Sequence, residues 1–297
     1  MTSEKTDMRS YIDSFMRECD YPEDAIPFLL DAYDKIISSS DGLLCLVAEY
    51  EADYKIDYEA ALSKMKEISL ESGVHEYTGA LLLFICYTRG LRAHYEREGI
   101  SLDLFIPTVL DLRYKLDECQ CVYGIVGSFV AKWFAGFFNM TRFALGRLQF
   151  EIVEFGGEYD NGEIKLTPES RVINVHIPRT LTPLDRKSTL ESYRLAAEFF
   201  GPRIGGQIVF TCNSWLLFPR HRAMLNEGSN ILAFMNDYTL VASGEYGSYG
   251  EVWRLFDKNY DGDSSHLPAD SSLRRAYVDL ISRGEKTGWG KGVFAFK

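Results

Sequence analysis

The sequence predicts an α+β protein with an all-helical domain over residues 1–143 and a mixed α/β domain over residues 144–297. Apolar residues recur at helical spacing before about residue 143, whereas alternating segments appear only after it. The length of 297 residues is sufficient for two domains. The hydrophobic fraction of 46% is that of a globular chain.

Helical spacing runs through the first half of the chain. Apolar residues at i, i+3, i+4 and i+7 place one buried stripe on each segment. Pro27 falls in a first turn, where proline is tolerated, but Pro107 is expected to break or kink its helix. Helices are predicted over residues 24–37, 58–70, 77–98, 101–118 and 129–139.

The second half changes period. The segment RLQFEIVEF at 147–155 alternates apolar and polar residues, and Asp160-Asn161-Gly162 is typical of a tight turn. Strands are predicted over residues 147–155, 171–177, 207–212, 252–256 and 293–296. Helices are predicted over residues 183–200 and 270–285, with short ones at 221–225 and 230–236. Strand, helix and strand in this order indicate a mixed sheet.

The charge balance limits the partners. Lys plus Arg number 32 and Asp plus Glu number 43, a formal net charge of −11. Such a surface repels nucleic acid and anionic lipid, so neither is expected as a partner. The apolar stretch 122–140 contains Lys132 near its middle and predicts a buried helix rather than a membrane span.

The cysteines and metal-binding motifs are also informative. Most of the six Cys lie in apolar runs and are expected to be free thiols in a reducing cytoplasm. The segment from Asp257 to Asp263 matches the start of an EF-hand loop, but Pro268 stands where the twelfth-position Glu is needed. No two His are spaced as in metal-binding helices, so no metal site is predicted.

Two strand ends predict a cleft. His176 ends one apolar strand, and Cys212 and Ser214 lie at the end of the next. Neighbouring strands would bring all three to one edge of the sheet, where a Cys–His nucleophile pair is conceivable. A Cys- or Ser-dependent hydrolase is therefore one alternative, although no G-x-S-x-G elbow surrounds Ser214. A structural His bonded to backbone is the other interpretation of His176.

Several segments together resemble a known family. They are LGRLQFE at 145–151, VHIP at 175–178, CNSWLLFP at 212–219 and GWGKGVF at 288–294, with HYEREGI at 94–100 in the helical half. The chain resembles bacterial two-domain proteins in which a helical N-acyltransferase N-terminal domain precedes a GNAT-like C-terminal domain. The resemblance implies direct transfer of an acyl group from acyl-CoA or acetyl-CoA to a small-molecule amine.

The resemblance also implies roles for particular residues. Glu151 or His176 would take the proton of the amine. The loop after the 171–177 strand would hold the CoA pyrophosphate through the start of the next helix, where unpaired N–H groups suit an anion. Its cofactor-binding residues would be Arg179, Thr180, Thr182 and Arg186.

The same loop departs from the family pattern. GNAT pyrophosphate loops contain glycines that let the backbone approach the phosphates, and the segment from Arg179 to Leu184 contains none. The alternative is therefore a non-catalytic ligand-binding or interaction protein on the same fold.

Overall fold

The computed structural model describes residues 2–180 and 182–296. Within it the chain divides into two units, Met1–Phe143 and Ala144–Lys297. The first is helical and the second is built on a mixed sheet, so the predicted α+β class is confirmed.

The first unit is organised around one long apolar helix. Its helices are α1 (Thr2–Glu18), α2 (Ala25–Ser39), α3 (Gly42–Ala52), α4 (Tyr58–Glu71), α5 (Glu76–Arg97), α6 (Phe105–Tyr123) and α7 (Ala135–Phe138), with 3₁₀ turns at Leu102–Leu104 and Ala131–Phe134. Helix α5 is buried because its first half has almost no polar residue; Tyr50 of α3 stacks on its Tyr87 at 4.4 Å between ring centroids. Phe138 of α7 packs edge-on against Tyr50 at 5.8 Å, which closes the core.

Two expectations for this unit need correction. Pro107 does not kink its helix, because α6 begins only at Phe105 and places the proline in the first turn, where no N–H is needed. The stretch 129–139 is a 3₁₀ turn followed by the single turn of α7, not one continuous helix. Over the described ranges, no helix combines the length and apolarity that crossing a bilayer requires.

The second unit contains a six-stranded sheet of order β1-β2-β5-β6-β8-β7. Its strands are β1 (Arg142–Leu145), β2 (Leu148–Glu154), β5 (Arg171–His176), β6 (Val209–Ser214), β7 (Thr239–Glu245) and β8 (Gly288–Ala295), and a separate hairpin joins β3 (Tyr159–Asp160) to β4 (Lys165–Leu166). Strand β2 pairs antiparallel with β5, and β8 pairs antiparallel with both β6 and β7. Strands β5 and β6 pair in parallel.

Helices follow the strands of this unit. They are α8 (Arg186–Ile204), α9 (His221–Met224), α10 (Asn230–Met235), α11 (Trp253–Phe256) and α12 (Ser272–Ser282), with 3₁₀ turns at Trp215–Leu217 and Ser264–His266. Tyr193 of α8 packs on one sheet face against Phe210 at 5.2 Å and Phe294 at 4.8 Å. The other face buries Val172 and Val209 with Ile164 of the hairpin, so each face has its own apolar layer.

The predicted strand over 252–256 is wrong. Residues 253–256 form helix α11, because the i, i+4 pair Val252 and Phe256 enters one apolar cluster with Tyr277 and Leu280 of α12. Conversely, strand β7 was not predicted. It lies at the edge of the sheet, and its mostly exposed residues do not alternate.

Candidate active site

The parallel strands β5 and β6 separate before they end. Their ladder consists of two residue pairs, Ile173 with Phe210 and Asn174 with Thr211, whereas the β2–β5 and β6–β8 ladders each have six. Each strand is therefore held firmly by its antiparallel neighbour, while the parallel ladder between β5 and β6 extends only to the Asn174–Thr211 pair. A gap of this kind at the carboxyl ends of parallel strands is where α/β sheets bind ligands.

Three polar side chains meet on one face beside this gap. Glu151 lies opposite Asn174 in the β2–β5 register, and His176 follows two residues later on the same face. His176 Nε2 lies 2.7 Å from Glu151 Oε1. Asn174 Nδ2 lies 3.1 Å from His176 Nε2 and 3.4 Å from Glu151 Oε1. The side chains of His176 and Glu151 remain 21% and 14% exposed, so the pair is shielded but accessible.

The short contact determines what the imidazole can do. A carboxylate only accepts hydrogen bonds, so His176 Nε2 carries the proton and donates it to Glu151 Oε1. The Asn174 amide, which is also a donor, then donates to the same carboxylate oxygen and not to Nε2. In the neutral ring Nδ1 is then the basic nitrogen. A carboxylate bonded to one nitrogen also stabilises the imidazolium that forms when the other takes a proton. The arrangement is suited to a general base.

Further polar residues share this face. Gln149 lies directly opposite His176 on β2, and Asn213 lies two residues beyond Thr211 on β6. Lys291 pairs with Asn213 on β8, donates to Phe155 O at 2.8 Å, and has its pKa lowered by burial. This face is thus apolar where the strands begin and polar where β5 and β6 end.

The expected meeting of His176 with Cys212 and Ser214 is only half right. The strands are neighbours, as predicted, but Asn174 pairs with Thr211, so Asn213 is the β6 residue on the His176 face. Alternation turns Cys212 and Ser214 to the opposite face. A Cys–His or Ser–His nucleophile pair is therefore not assembled here.

The individual environments of Cys212 and Ser214 agree with this correction. Cys212 is fully buried, and burial raises its thiol pKa far above the ordinary value, so the nucleophilic thiolate is disfavoured. Ser214 Oγ accepts a hydrogen bond from Leu216 N at 3.2 Å and caps the following 3₁₀ turn. Both residues stabilise the end of β6.

Arg147, which the sequence patterns did not indicate, fixes the position of the loop between β5 and α8. Arg147 Nη1 donates to Pro178 O at 3.0 Å, and its Nε donates to Thr182 O at 2.9 Å. Within the loop the Thr180 and Thr182 hydroxyls lie 2.9 Å apart. Two carbonyls of the loop are thereby held on one guanidinium.

Both arginines proposed to bind phosphate are paired with carboxylates. Arg179 pairs with Asp257, which also accepts from Arg274 Nη2 at 2.8 Å. Arg186 pairs with Asp237, whose side chain is 10% exposed. An anion arriving at this loop must therefore compete with two aspartates.

The start of α8 is already capped. Asp185 accepts a hydrogen bond from Ser188 N at 2.9 Å, and that bond lowers the pKa of its carboxyl. One of the unpaired N–H groups on which anion binding at a helix start depends is thus occupied by the chain itself.

Among the described residues, no group of three or more His, Cys, Asp and Glu side chains is placed to hold a metal ion.

The partners missed in the sequence were visible in principle. Asn174 and His176 stand at i and i+2 in RVINVHI, as Gln149 and Glu151 do in RLQFEIVEF. Each pair therefore shares a face. What the sequence lacks is the β2–β5 register, which alone sets Glu151 against His176.

Comparison with protein-family models matches both halves of the chain. Residues 10–140 match an N-acyltransferase N-terminal domain, and residues 143–294 match a GNAT-like C-terminal domain. A search of curated protein sequences gave no match.

Solved structures of acyltransferases share the fold. One, in complex with decanoyl-CoA and teicoplanin, has a TM-score of 0.72 and 21% identity, over 96% of this chain and 87% of that one. A mutant acyltransferase in complex with octanoyl-CoA has a TM-score of 0.71 and 19% identity over the same shares. A third, with decanoyl-CoA, has a TM-score of 0.66 and 19% identity, over 96% of this chain and 99% of that one. The chain therefore belongs to the family defined by the GNAT-like C-terminal domain, which here follows an N-acyltransferase N-terminal domain.

Proposed function

We propose that this protein is an acyl-CoA-dependent N-acyltransferase, which moves an acyl group directly from the thioester to an amine. The observation that carries the proposal is the 2.7 Å contact between Glu151 and His176 beside the gap between β5 and β6. Family membership supplies the reaction class, and this pair supplies the base that the reaction needs.

The chemistry follows from the tautomer of His176. The amine nitrogen attacks the thioester carbonyl, and a C–N bond forms while the C–S bond breaks. His176 Nδ1 takes the proton that the nitrogen loses, and Glu151 Oε1 stabilises the resulting imidazolium. The products are the amide and CoA, whose thiolate takes up a proton. Backbone N–H groups near His176, where β5 has left β6, would polarise the thioester carbonyl.

The co-substrate is proposed to be a CoA thioester. Structural relatives were solved with octanoyl-CoA and decanoyl-CoA, so medium-length acyl chains are the first to test here. The pantetheine arm would lie in the gap along β5, and the pyrophosphate at the loop with Arg179, Thr180, Thr182 and Arg186. Because both arginines are paired with aspartates, phosphate binding would exchange one anionic partner for another.

The acceptor is proposed to be a small-molecule amine. One structural relative was solved in complex with teicoplanin as well as decanoyl-CoA, which supports a second small-molecule ligand as the acceptor here. The six cysteines are free in the structure, which supports a reducing compartment such as the cytoplasm.

A non-catalytic binding protein is the second candidate, and two observations favour it. The β5–α8 loop lacks glycine, and Asp185 occupies one of the helix-start donors. Such a protein would use the same cleft to hold a ligand without turnover.

Calorimetric titration with acetyl-, octanoyl- and decanoyl-CoA tests the proposal. We expect saturable 1:1 binding of at least one thioester and weaker binding of desulfo-CoA carrying no acyl group. No binding at any chain length would contradict both the co-substrate and the proposed pyrophosphate loop.

A further inference from the structure

A lysine lies on the site face, which is the face of the sheet that carries Glu151 and His176. Lys291 of β8 is paired with Asn213 of β6, which is on the same face as His176, and its side chain is half-buried. Neighbouring strands lie about 4.8 Å apart, and β6 stands between β5 and β8. The backbones of His176 and Lys291 are therefore separated by at least about 10 Å, or two strand spacings.

The Lys291 ammonium is held by groups that carry no formal charge. Its Nζ donates to Phe155 O at 2.8 Å and lies 4.0 Å from the centroid of the Phe155 ring. In the part of the chain that the structure describes, no ion pair joins Lys291 to a carboxylate, unlike Arg179 and Arg186. An ammonium has three donors, so two remain for a ligand. Because burial of a cation without an anion is unfavourable, an arriving anion would be stabilised here.

The charges of the site face are separated from one side to the other. Glu151 on β2 is negative and Lys291 on β8 is positive, whereas the β5 and β6 residues between them, Asn174, Thr211 and Asn213, are uncharged. This face is therefore complementary to a molecule that carries an amine at one end and an anionic group at the other.

We propose that the acceptor carries a carboxylate remote from its amine, and that the Lys291 ammonium binds this carboxylate while the amine lies at His176. The inference rests on the proposed function, which places the amine at His176. Lys291 would then determine specificity without touching the reacting atoms. The distance across the face favours an ω-amino acid over an α-amino acid, in which one carbon bears both groups.

Ligand-observed NMR titration of the full-length protein tests this binding without turnover. The probes are 6-aminohexanoate, 6-aminohexan-1-ol, which lacks the carboxylate, and 2-aminohexanoate, which differs only in the position of its amine. We expect wild type to bind 6-aminohexanoate most tightly. Lys291→Met should weaken that binding about tenfold and remove the preference over the alcohol, as expected for a charged hydrogen bond.

Three controls separate charge recognition from a structural role of Lys291. Lys291→Arg keeps the cation and should keep the preference for the carboxylate. Lys286→Met makes the same change at an exposed lysine that precedes β8, and should leave the binding of all three probes unchanged. Octanoyl-CoA should bind Lys291→Met as it binds wild type. A tenfold loss of octanoyl-CoA affinity would assign Lys291 to a CoA phosphate and overturn the proposal.

Kinetics separate this inference from the proposed function. With octanoyl-CoA, Lys291→Met should lower the ratio of kcat/KM for 6-aminohexanoate to that for 6-aminohexan-1-ol about tenfold. An unchanged ratio with equal binding of 6-aminohexanoate by wild type and Lys291→Met overturns the assignment, even if acyl transfer proceeds and the variant melts at a lower temperature. Lys291-dependent binding of 6-aminohexanoate, with no acylation of any amine, supports the carboxylate site but contradicts the proposed function.

Discussion

The contact between Glu151 and His176 assigns unequal roles to two residues of one pair. In the proposed mechanism His176 supplies the nitrogen that takes the proton, whereas Glu151 holds the ring and stabilises its charged form. Removing the base should therefore lower kcat more than neutralising its partner does.

Substitution at each position tests this order. We expect His176→Gln to lower kcat about 10²- to 10⁴-fold, the usual contribution of a general base. Glu151→Gln keeps an acceptor for Nε2–H but loses the charge. It should lower kcat about 10- to 100-fold, the usual contribution of a hydrogen bond to a charged group. Release of the CoA thiol, measured at saturating amine, gives both values. A Glu151→Gln defect larger than that of His176→Gln would instead make the carboxylate the base.

The cysteines provide a second test at residue scale. Cys45 and Cys121 are exposed, whereas the other four are buried, and burial raises the thiol pKa of Cys19, Cys86 and Cys119 to about 12. The native protein should therefore take up two alkyl groups from iodoacetamide, and the unfolded protein six. Intact-mass spectrometry counts them. Rapid native labelling of Cys212 would contradict its placement in the core and restore the hydrolase alternative.

At the scale of elements, the spacing of apolar residues predicted the helices whose formation depends on their own sequence. Helices α2, α4 and α5 appear within a few residues of their predicted bounds because each buries one apolar stripe. The sequence could not settle residues 252–256, whose short apolar run fits either period until α12 supplies the partner surface. Nor could it supply the register that assembles Glu151, Asn174 and His176, since these residues come from two strands and register depends on pairing between them.

The β5–α8 loop offers a prediction in which a substitution improves binding. Asp257→Asn removes the charge that competes for Arg179, and Asn tolerates the left-handed backbone there (φ 57°). We expect acyl-CoA to bind about two- to fivefold more tightly, in line with an exposed ion pair. Calorimetry gives the affinity.

A neighbouring aspartate is the matched control for that measurement. Asp270 also pairs with Arg274, at 3.0 Å, whereas Arg179 pairs with Asp257. Asp270→Asn should therefore leave acyl-CoA affinity unchanged. Equal effects of the two substitutions, or weaker binding by Asp257→Asn, would remove Arg179 from the proposed phosphate site.

His221 of α9 lies with its Nε2 2.6 Å from the Tyr277 hydroxyl of α12. This buried histidine should make the free energy of unfolding depend on pH. Burial lowers the pKa of His221 below its ordinary 6.5, so the unfolded chain binds a proton more readily than the folded one. The stabilisation is therefore full above about pH 6.5 and is lost as pH falls through the lower folded pKa. Thermal unfolding from pH 8 to 5 should show a steeper fall for wild type than for His221→Gln. Parallel curves would contradict a neutral, buried His221.

At the scale of the whole molecule, the net charge of −11 conflicts with an anionic co-substrate. Local positive charge offsets this repulsion, because three arginines lie at or beside the β5–α8 loop: Arg147, Arg179 and Arg186. Two of these cations are already paired with carboxylates, so the co-substrate gains only the difference between phosphate and aspartate as partners. Moderate rather than tight acyl-CoA binding is the consequence.

The central claim is that an amine, and not water, receives the acyl group. Its most direct test incubates the protein with octanoyl-CoA, with and without an amine such as tyramine, and measures CoA by thiol titration and products by mass spectrometry. We expect one amide for each CoA released, little release without amine, and loss of both signals in His176→Gln. Release of octanoic acid at the same rate without amine would indicate a hydrolase, and tight binding without release a binding protein; either result would contradict the account.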